Sequence, residues 1–139
     1  MASNITQEFK KYFEDLTATN SIVDDFGTTF TFGTNLFIGT ELGVDRNCLT
    51  IIPTSGGAPS AEGDRHYTSV IIRIKHSSNA SSLETTQSII NLLHNNTDIC
   101  ASKSGRVKSS QSSPIIIGYL ESGEYCVTAA NFDITHIKL

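Results

Sequence analysis

The chain has 139 residues, 38% of them hydrophobic and 17% charged, with ten glycines, three prolines and no tryptophan. That supports one hydrophobic core spanning residues 1–139 and leaves no room for a second domain. Ten basic against fourteen acidic residues give a net charge of −4, too weak for a disordered acidic tail and of the wrong sign for a nucleic-acid coat.

Ile5, Phe9, Tyr12, Phe13 and Leu16 recur at helical spacing, with Glu8, Lys10, Lys11, Glu14 and Asp15 between them, which predicts an amphipathic helix. Asn4 stands at the N-cap with Gln7 three residues on, and the helix is expected to end near Asn20. Ser21 to Gly33, rich in Thr and Phe, reads as a loop or a short strand pair. Leu36 to Ile38 and Cys48 to Ile52 read as strands, the second stopped by Pro53. Gly43 to Asn47 between them has the turn chemistry of a hairpin. Thr54 to His66 holds three glycines and a second proline without apolar periodicity, so it is expected to be a long exposed loop.

Tyr67 to His76 alternates, with Val70, Ile72 and Ile74 on one face and Ile71, Arg73 and Lys75 on the other, as a strand does. Ser81 to His94 places Leu83, Thr86, Ile89, Ile90 and Leu93 on one helical stripe. A short strand near Ile99 is expected next. Ser102 to Ser113, poor in apolar residues and carrying Lys103, Arg106 and Lys108, reads as a mobile basic loop. Ile115 to Leu120 and Tyr125 to Lys138 read as strands joined by the four residues Glu121 to Glu124, a hairpin. The sum is an α+β domain: a mostly antiparallel sheet of about four to six strands with two main helices on one face.

The polar first twenty residues offer none of the roughly 7–15 consecutive apolar residues of a signal peptide, and no run approaches the roughly 20 that span a bilayer. No membrane association is expected. Cys48, Cys100 and Cys126 are odd in number and far apart, which argues for reduced, buried thiols rather than a disulfide framework or a metal knot.

No pattern of catalytic residues emerges, so no enzymatic activity, cofactor or metal is expected. His66 and His76, ten residues apart on one strand, would stand roughly 30 Å apart and cannot share a metal. His94 closes a helix, where a cation complements the dipole. Gly56-Gly57 lacks the lysine and following helix of a phosphate loop. Glu62 and Asp64 are too few for calcium. The basic residues after Ser102 have no aromatic interleaved to stack on bases.

Read in order, several segments resemble a family of small tailed-phage minor capsid proteins whose structural relatives are tail terminators. They are Gly33 to Gly39, Thr50 to Pro59, Arg65 to Lys75, Ile89 to His94, Pro114 to Gly118 and Val127 to Thr135; the resemblance spans about residues 5 to 138. It implies an α+β subunit of a ring, commonly a hexamer, that caps the head-proximal end of the tail tube. Such a ring stops tube growth and docks a head–tail connector or stopper protein. Its place would be the virion neck, after assembly in the host cytoplasm. Expected partners are further copies of the chain, the tube protein and the connector. Duplex DNA would pass through without specific binding, since six copies would carry about −24. The expected assembly contacts are the loops at 54–66 and 102–113, with Asp64, Arg65, Arg106 and Lys108 as interface charges. The alternatives are another neck component of the head-completion or stopper kind and, more distantly, a small enzyme or ligand-binding module.

Overall fold

The computed structural model describes residues 5–16, 20–26, 29–39, 47–54, 65–99, 105–120 and 125–137. Two main helices, α1 (Ile5–Glu14) and α3 (Asn79–Leu93), and a short α2 (Ser21–Phe26) accompany six strands. The strands are β1 (Leu36–Ile38), β2 (Cys48–Thr54), β3 (Arg65–His76), β4 (Arg106–Ser109), β5 (Ile115–Leu120) and β6 (Tyr125–Ile137). All six belong to one mixed, mostly antiparallel sheet in the order β1-β2-β3-β6-β4, with β5 also paired to β6. This is the α+β class the sequence predicts.

The long strands β3 and β6 form the centre of the sheet, in antiparallel register from Arg65 opposite Ile137 to His76 opposite Cys126. Period-two alternation sends Val70, Ile72 and Ile74 to the same face as Ala130, Phe132 and Ile134 of β6 and Leu49 and Ile51 of β2. All of these side chains are buried in one cluster with Ile5, Phe9 and Phe13 of α1 and Ile89, Ile90 and Leu93 of α3. The helices therefore cover one face, with α1 over β1 and β2 and α3 over β3 and β6. The other face is also well buried near the middle, at Cys48, Thr50, Lys75, Val127 and Ala129, and Lys75 lays its ammonium 4.5 Å from the Tyr125 ring centre.

Several local expectations are corrected. The first helix stops at Glu14 rather than near Asn20. Asn20 instead accepts the Ile22 N–H on its side-chain oxygen at 2.9 Å, the role of a cap that starts α2. Residues 21–26, expected as loop or strand, are therefore helical, because Ile22, Val23 and Phe26 bury three side chains on the core.

β1 and β2 do not form a hairpin. They run parallel, Leu36 opposite Leu49 and Ile38 opposite Ile51. Turn-forming residues between two short strands say that the chain turns, not whether it returns alongside in the same or the opposite sense. Asn35 helps fix the entry: its side-chain oxygen accepts the Thr31 N–H at 2.6 Å, its amide donates to Thr29 O, and its backbone carbonyl accepts from Leu49 N.

Within the expected basic loop, residues 106–109 form β4, antiparallel to β6 with Val107 opposite Ile134. A single buried Val107 between two exposed cations is too short a pattern to reveal a strand in sequence, yet it is what fastens this one. No strand forms at Ile99, which lies in a turn with its side chain buried. On α3 the buried stripe runs through Ser82, Thr86, Ile89 and Leu93, and Leu83 is only half-buried.

The start of α3 is tied to β2 through a histidine. Ser78 caps the helix, accepting the Ser81 N–H at 3.2 Å. His76 Nδ1 accepts the Ser78 N–H at 2.9 Å, and its Nε2 lies 3.3 Å from the Asn47 amide nitrogen. Asn47 in turn accepts from Ser77 N. With Nδ1 accepting, the neutral ring carries its proton on Nε2, and burial pushes the imidazole pKa below its ordinary value. The unfolded chain then binds the proton more readily than the folded one. The stabilisation from a neutral His76 is complete above about pH 6.5 and is lost as pH falls below that value toward the folded-state pKa. Urea midpoints measured from pH 7.5 down to 5 should fall, and His76→Gln should flatten that fall while lowering the midpoint at pH 7.5. An unchanged slope in the variant would assign the acid sensitivity elsewhere.

Candidate assembly surface

One edge of β6 is covered by two strands placed end to end. β5 pairs with it over residues 125–129 and β4 over 132–135. The gap between them is closed by a side chain: Gln111 Oε1 accepts the Asn131 N–H at 3.1 Å and Gln111 Nε2 donates to Ala129 O at 3.4 Å, while Ser110 N donates to Asn131 O. Gln111 imitates a strand residue in this position. Sequence reasoning passed it over, because a glutamine in a serine-rich stretch carries no periodic signal.

β5 begins after Pro114, whose missing N–H suits the start of an edge strand. It carries Ile115 opposite Ala129 and Ile116 opposite Thr128, then a register shift before Gly118, which pairs with Val127 at a φ of 146°. That backbone angle favours glycine. The extra residue of the bulge is Ile117. The three isoleucines are 42%, 58% and 57% exposed, three of the five large hydrophobic side chains that the described residues leave exposed. Among the described residues no strand pairs with the outer side of β5. An apolar edge of this kind lacks the charges that proteins use to prevent edge-to-edge pairing.

The four predicted interface charges are distributed as follows. Asp64 lies outside the described residues, as do residues 55–63 of the expected loop, whose ends Thr54, Arg65 and His66 belong to β2 and β3. Arg65 opens β3 opposite Ile137. Arg106 and Lys108 are exposed on β4, opposite Thr135 and Asp133. The register thus brings Arg65, Arg106 and Lys108 to one end of the sheet. It adds a residue that the sequence pattern missed: Tyr67, 41% exposed, lies across β6 from Arg106, since both pair with Thr135. An aromatic absent from the local sequence of the basic segment is supplied by a different strand. In the next row Asp133 accepts hydrogen bonds from Ser69 Oγ at 2.8 Å and Ser110 Oγ at 3.1 Å, so this end is of mixed charge.

Two further histidines join elements of the fold. His94 caps α3 and accepts the Ser109 N–H on Nδ1 at 3.0 Å, joining the helix to β4. His136 lies 3.0 Å from the Thr68 hydroxyl. Cys48 and Cys126 are buried, and Cys100 lies outside the described residues. Among the described residues no three of His, Cys, Asp and Glu gather as a metal would require. A groove of about 520 Å³ separates the end of α3, at Ile90 and His94, from the segment of Ser109, Gln111 and Ser112. Its outer wall is held by Gln87, which donates to Ser112 O at 3.1 Å. No helix among the described residues is long and apolar enough to cross a membrane.

No protein-family model matches the chain, and no curated protein matches it. The fold and the surface by themselves define an α+β domain whose sheet, among the described residues, has an open apolar edge on one side.

Proposed function

We propose that the chain is a structural subunit of a tailed-phage virion, a tail terminator that caps the head-proximal end of the tail tube. In this role it stops tube polymerisation and offers its far face to the head connector. The observation that carries this reading is the open β5 edge with its three exposed isoleucines. A surface of that kind is costly for a free subunit and suited to one that is covered on assembly. The ordered segments from Gly33 to Thr135 that resemble terminator-related capsid proteins supply the particular kind of assembly. Arg65, Arg106 and Lys108, at the end of the sheet, are the charges proposed to contact a neighbouring subunit or the tube. The chain performs no catalysis in this role and needs no cofactor.

The test is genetic and visual. Virions assembled without the protein, viewed by negative stain, should show overlong or uncapped tails. Free tails of normal length beside heads that leak DNA would instead make the chain a stopper and overturn the terminator assignment.

A further inference from the structure

The sheet face turned away from the helices is covered near Cys48 and Lys75 but exposed at its other end, where Tyr67, Arg106, Lys108 and Thr135 lie. Period-two alternation puts them there, since Val70, three positions from Tyr67, and Val107, between the two cations, are buried in the core beneath the helices. Tyr67, Thr135 and Arg106 form one row across β3, β6 and β4, and Ser69, Asp133 and Lys108 form the next. From the strand spacing and rise, Arg106 stands about 10 Å from Tyr67 across the row and about 7 Å from Lys108 along β4. Tyr67 is 41% exposed. Among the described residues, the side chains of Tyr67, Arg106 and Lys108 have no hydrogen bond, ion pair or ring contact. Asp133 is the one acid of this face among the described residues, and it accepts from the Ser69 and Ser110 hydroxyls. The other described acids lie on the helices or in the segments that follow α1 and α3. A chain of net charge −4 therefore carries an excess of positive charge at this end of its sheet, beside an unstacked aromatic ring.

We infer that this end of the sheet is a platform for single-stranded nucleic acid, with a base stacked on Tyr67 and the adjoining phosphates held by Arg106 and Lys108. The sequence argues against such a site on two grounds, the net charge and the lack of an aromatic among the basic residues after Ser102. Both grounds concern the chain as a line. In the fold, β3 supplies the ring, and the acids are gathered on the helix layer across the sheet. An aromatic that offers a free face beside cations is the combination that binds unpaired bases without reading their sequence. Base-paired duplex keeps its base faces stacked inward, and its grooves admit a helix or a ribbon rather than the flat face of a sheet. An acidic peptide would use the cations and leave the Tyr67 ring idle. Two rows across three strands hold about one or two nucleotides, so binding is weak and tolerant of base identity. This inference goes beyond the terminator reading and does not depend on it, although both use Arg106 and Lys108.

The experiment follows the fluorescence anisotropy of a labelled oligothymidylate of about twelve nucleotides as the full chain is added at about 20 mM salt. Binding should be saturable, and log affinity should fall against log salt with a slope of about −1.4, the value for two phosphates on a single strand. Tyr67→Ala should weaken binding by at least about fivefold, whereas Tyr67→Phe keeps the ring and should stay within about twofold of wild type. Arg106→Gln should make the salt slope shallower by about 0.7. Lys11→Gln removes the same charge from an exposed position on α1 and should change neither affinity nor slope. All of these sites are exposed, and an unchanged thermal midpoint verifies the fold of each variant. Absence of saturable binding, a Tyr67→Ala chain that binds like wild type, or equal losses from Lys11→Gln and Arg106→Gln would overturn the inference. So would equal affinity for a duplex of the same length. Displacement of the oligonucleotide by polyglutamate at equal charge concentration would assign the surface to an acidic protein segment instead and overturn it as well.

Discussion

Replacing Phe132 with alanine should cost about 3–5 kcal/mol, the largest loss expected from any single substitution in the sheet. The ring is fully buried on β6, opposite Val70 on β3 and Ser109 on β4. It therefore sits where the central strand pair meets the strand that carries Arg106 and Lys108. With total stability of a domain this size at about 5–15 kcal/mol, the variant should remain folded but with its urea midpoint lowered by about 2 M. Phe132→Leu conserves most of the volume and should cost about 1 kcal/mol. Ile115→Ala, on the exposed edge, should stay within about 0.5 kcal/mol of wild type. If the Phe132 and Ile115 substitutions proved equally mild, β6 would not hold the core in this register. Since β4 and β5 both hang on β6, looseness at Phe132 should also reach the assembly edge.

The contrast between these two hydrophobic positions shows where sequence reading succeeds and where it stops. The centre of the fold was legible because it is periodic. The alternation of Val70, Ile72 and Ile74 and the helical spacing of Ile5, Phe9 and Phe13 both identified the buried face correctly. The final pair of strands was equally clear. What failed was non-periodic: α2, a six-residue helix held by Asn20; β4, fastened by one valine; and the direction of β1, which lies parallel to the next strand β2 and is not fixed by the turn residues between them. The candidate surface was half legible. Arg106 and Lys108 were identified as exposed charges, but the neighbouring aromatic Tyr67 reaches them only through the register of β3 and β6. The isoleucines at 115–117 read as part of a strand, with no reading of whether they are covered. No sequence pattern distinguishes an apolar strand that is covered by its own domain from one left at an edge for another chain to cover.

Thr128→Val should be nearly as damaging as a small cavity, although it changes neither shape nor size. Thr128 Oγ1 lies 2.8 Å from Ser82 Oγ and 2.7 Å from Thr86 Oγ1, and donates to Ser82 O at 3.2 Å. All three side chains are fully buried between α3 and β6. One assignment of protons satisfies the group: the Ser82 and Thr86 hydroxyls both donate to Thr128 Oγ1, which has two lone pairs, and Thr128 donates to the carbonyl. Valine at 128 removes the shared acceptor. Ser82 can then turn to Cys126 O, already 3.4 Å away, while the Thr86 hydroxyl loses the one partner shown for it, at a cost of about 1–3 kcal/mol. Thr86→Val alone removes a donor and leaves no buried group stranded, so it should cost less. The combined Ser82→Ala, Thr86→Val, Thr128→Val chain removes the polar atoms together and should recover to within about 1 kcal/mol of wild type. Urea unfolding of the four proteins measures this; costs that simply added would mean that the hydroxyls do not act as one network. The position gives the test a second readout. Thr128 stands opposite Ile116 of β5, so a stranded hydroxyl beneath that pair loosens the strand whose outer edge is proposed to be covered on assembly. Thr128→Val should weaken oligomer formation more than Thr86→Val does, and the triple variant should restore it.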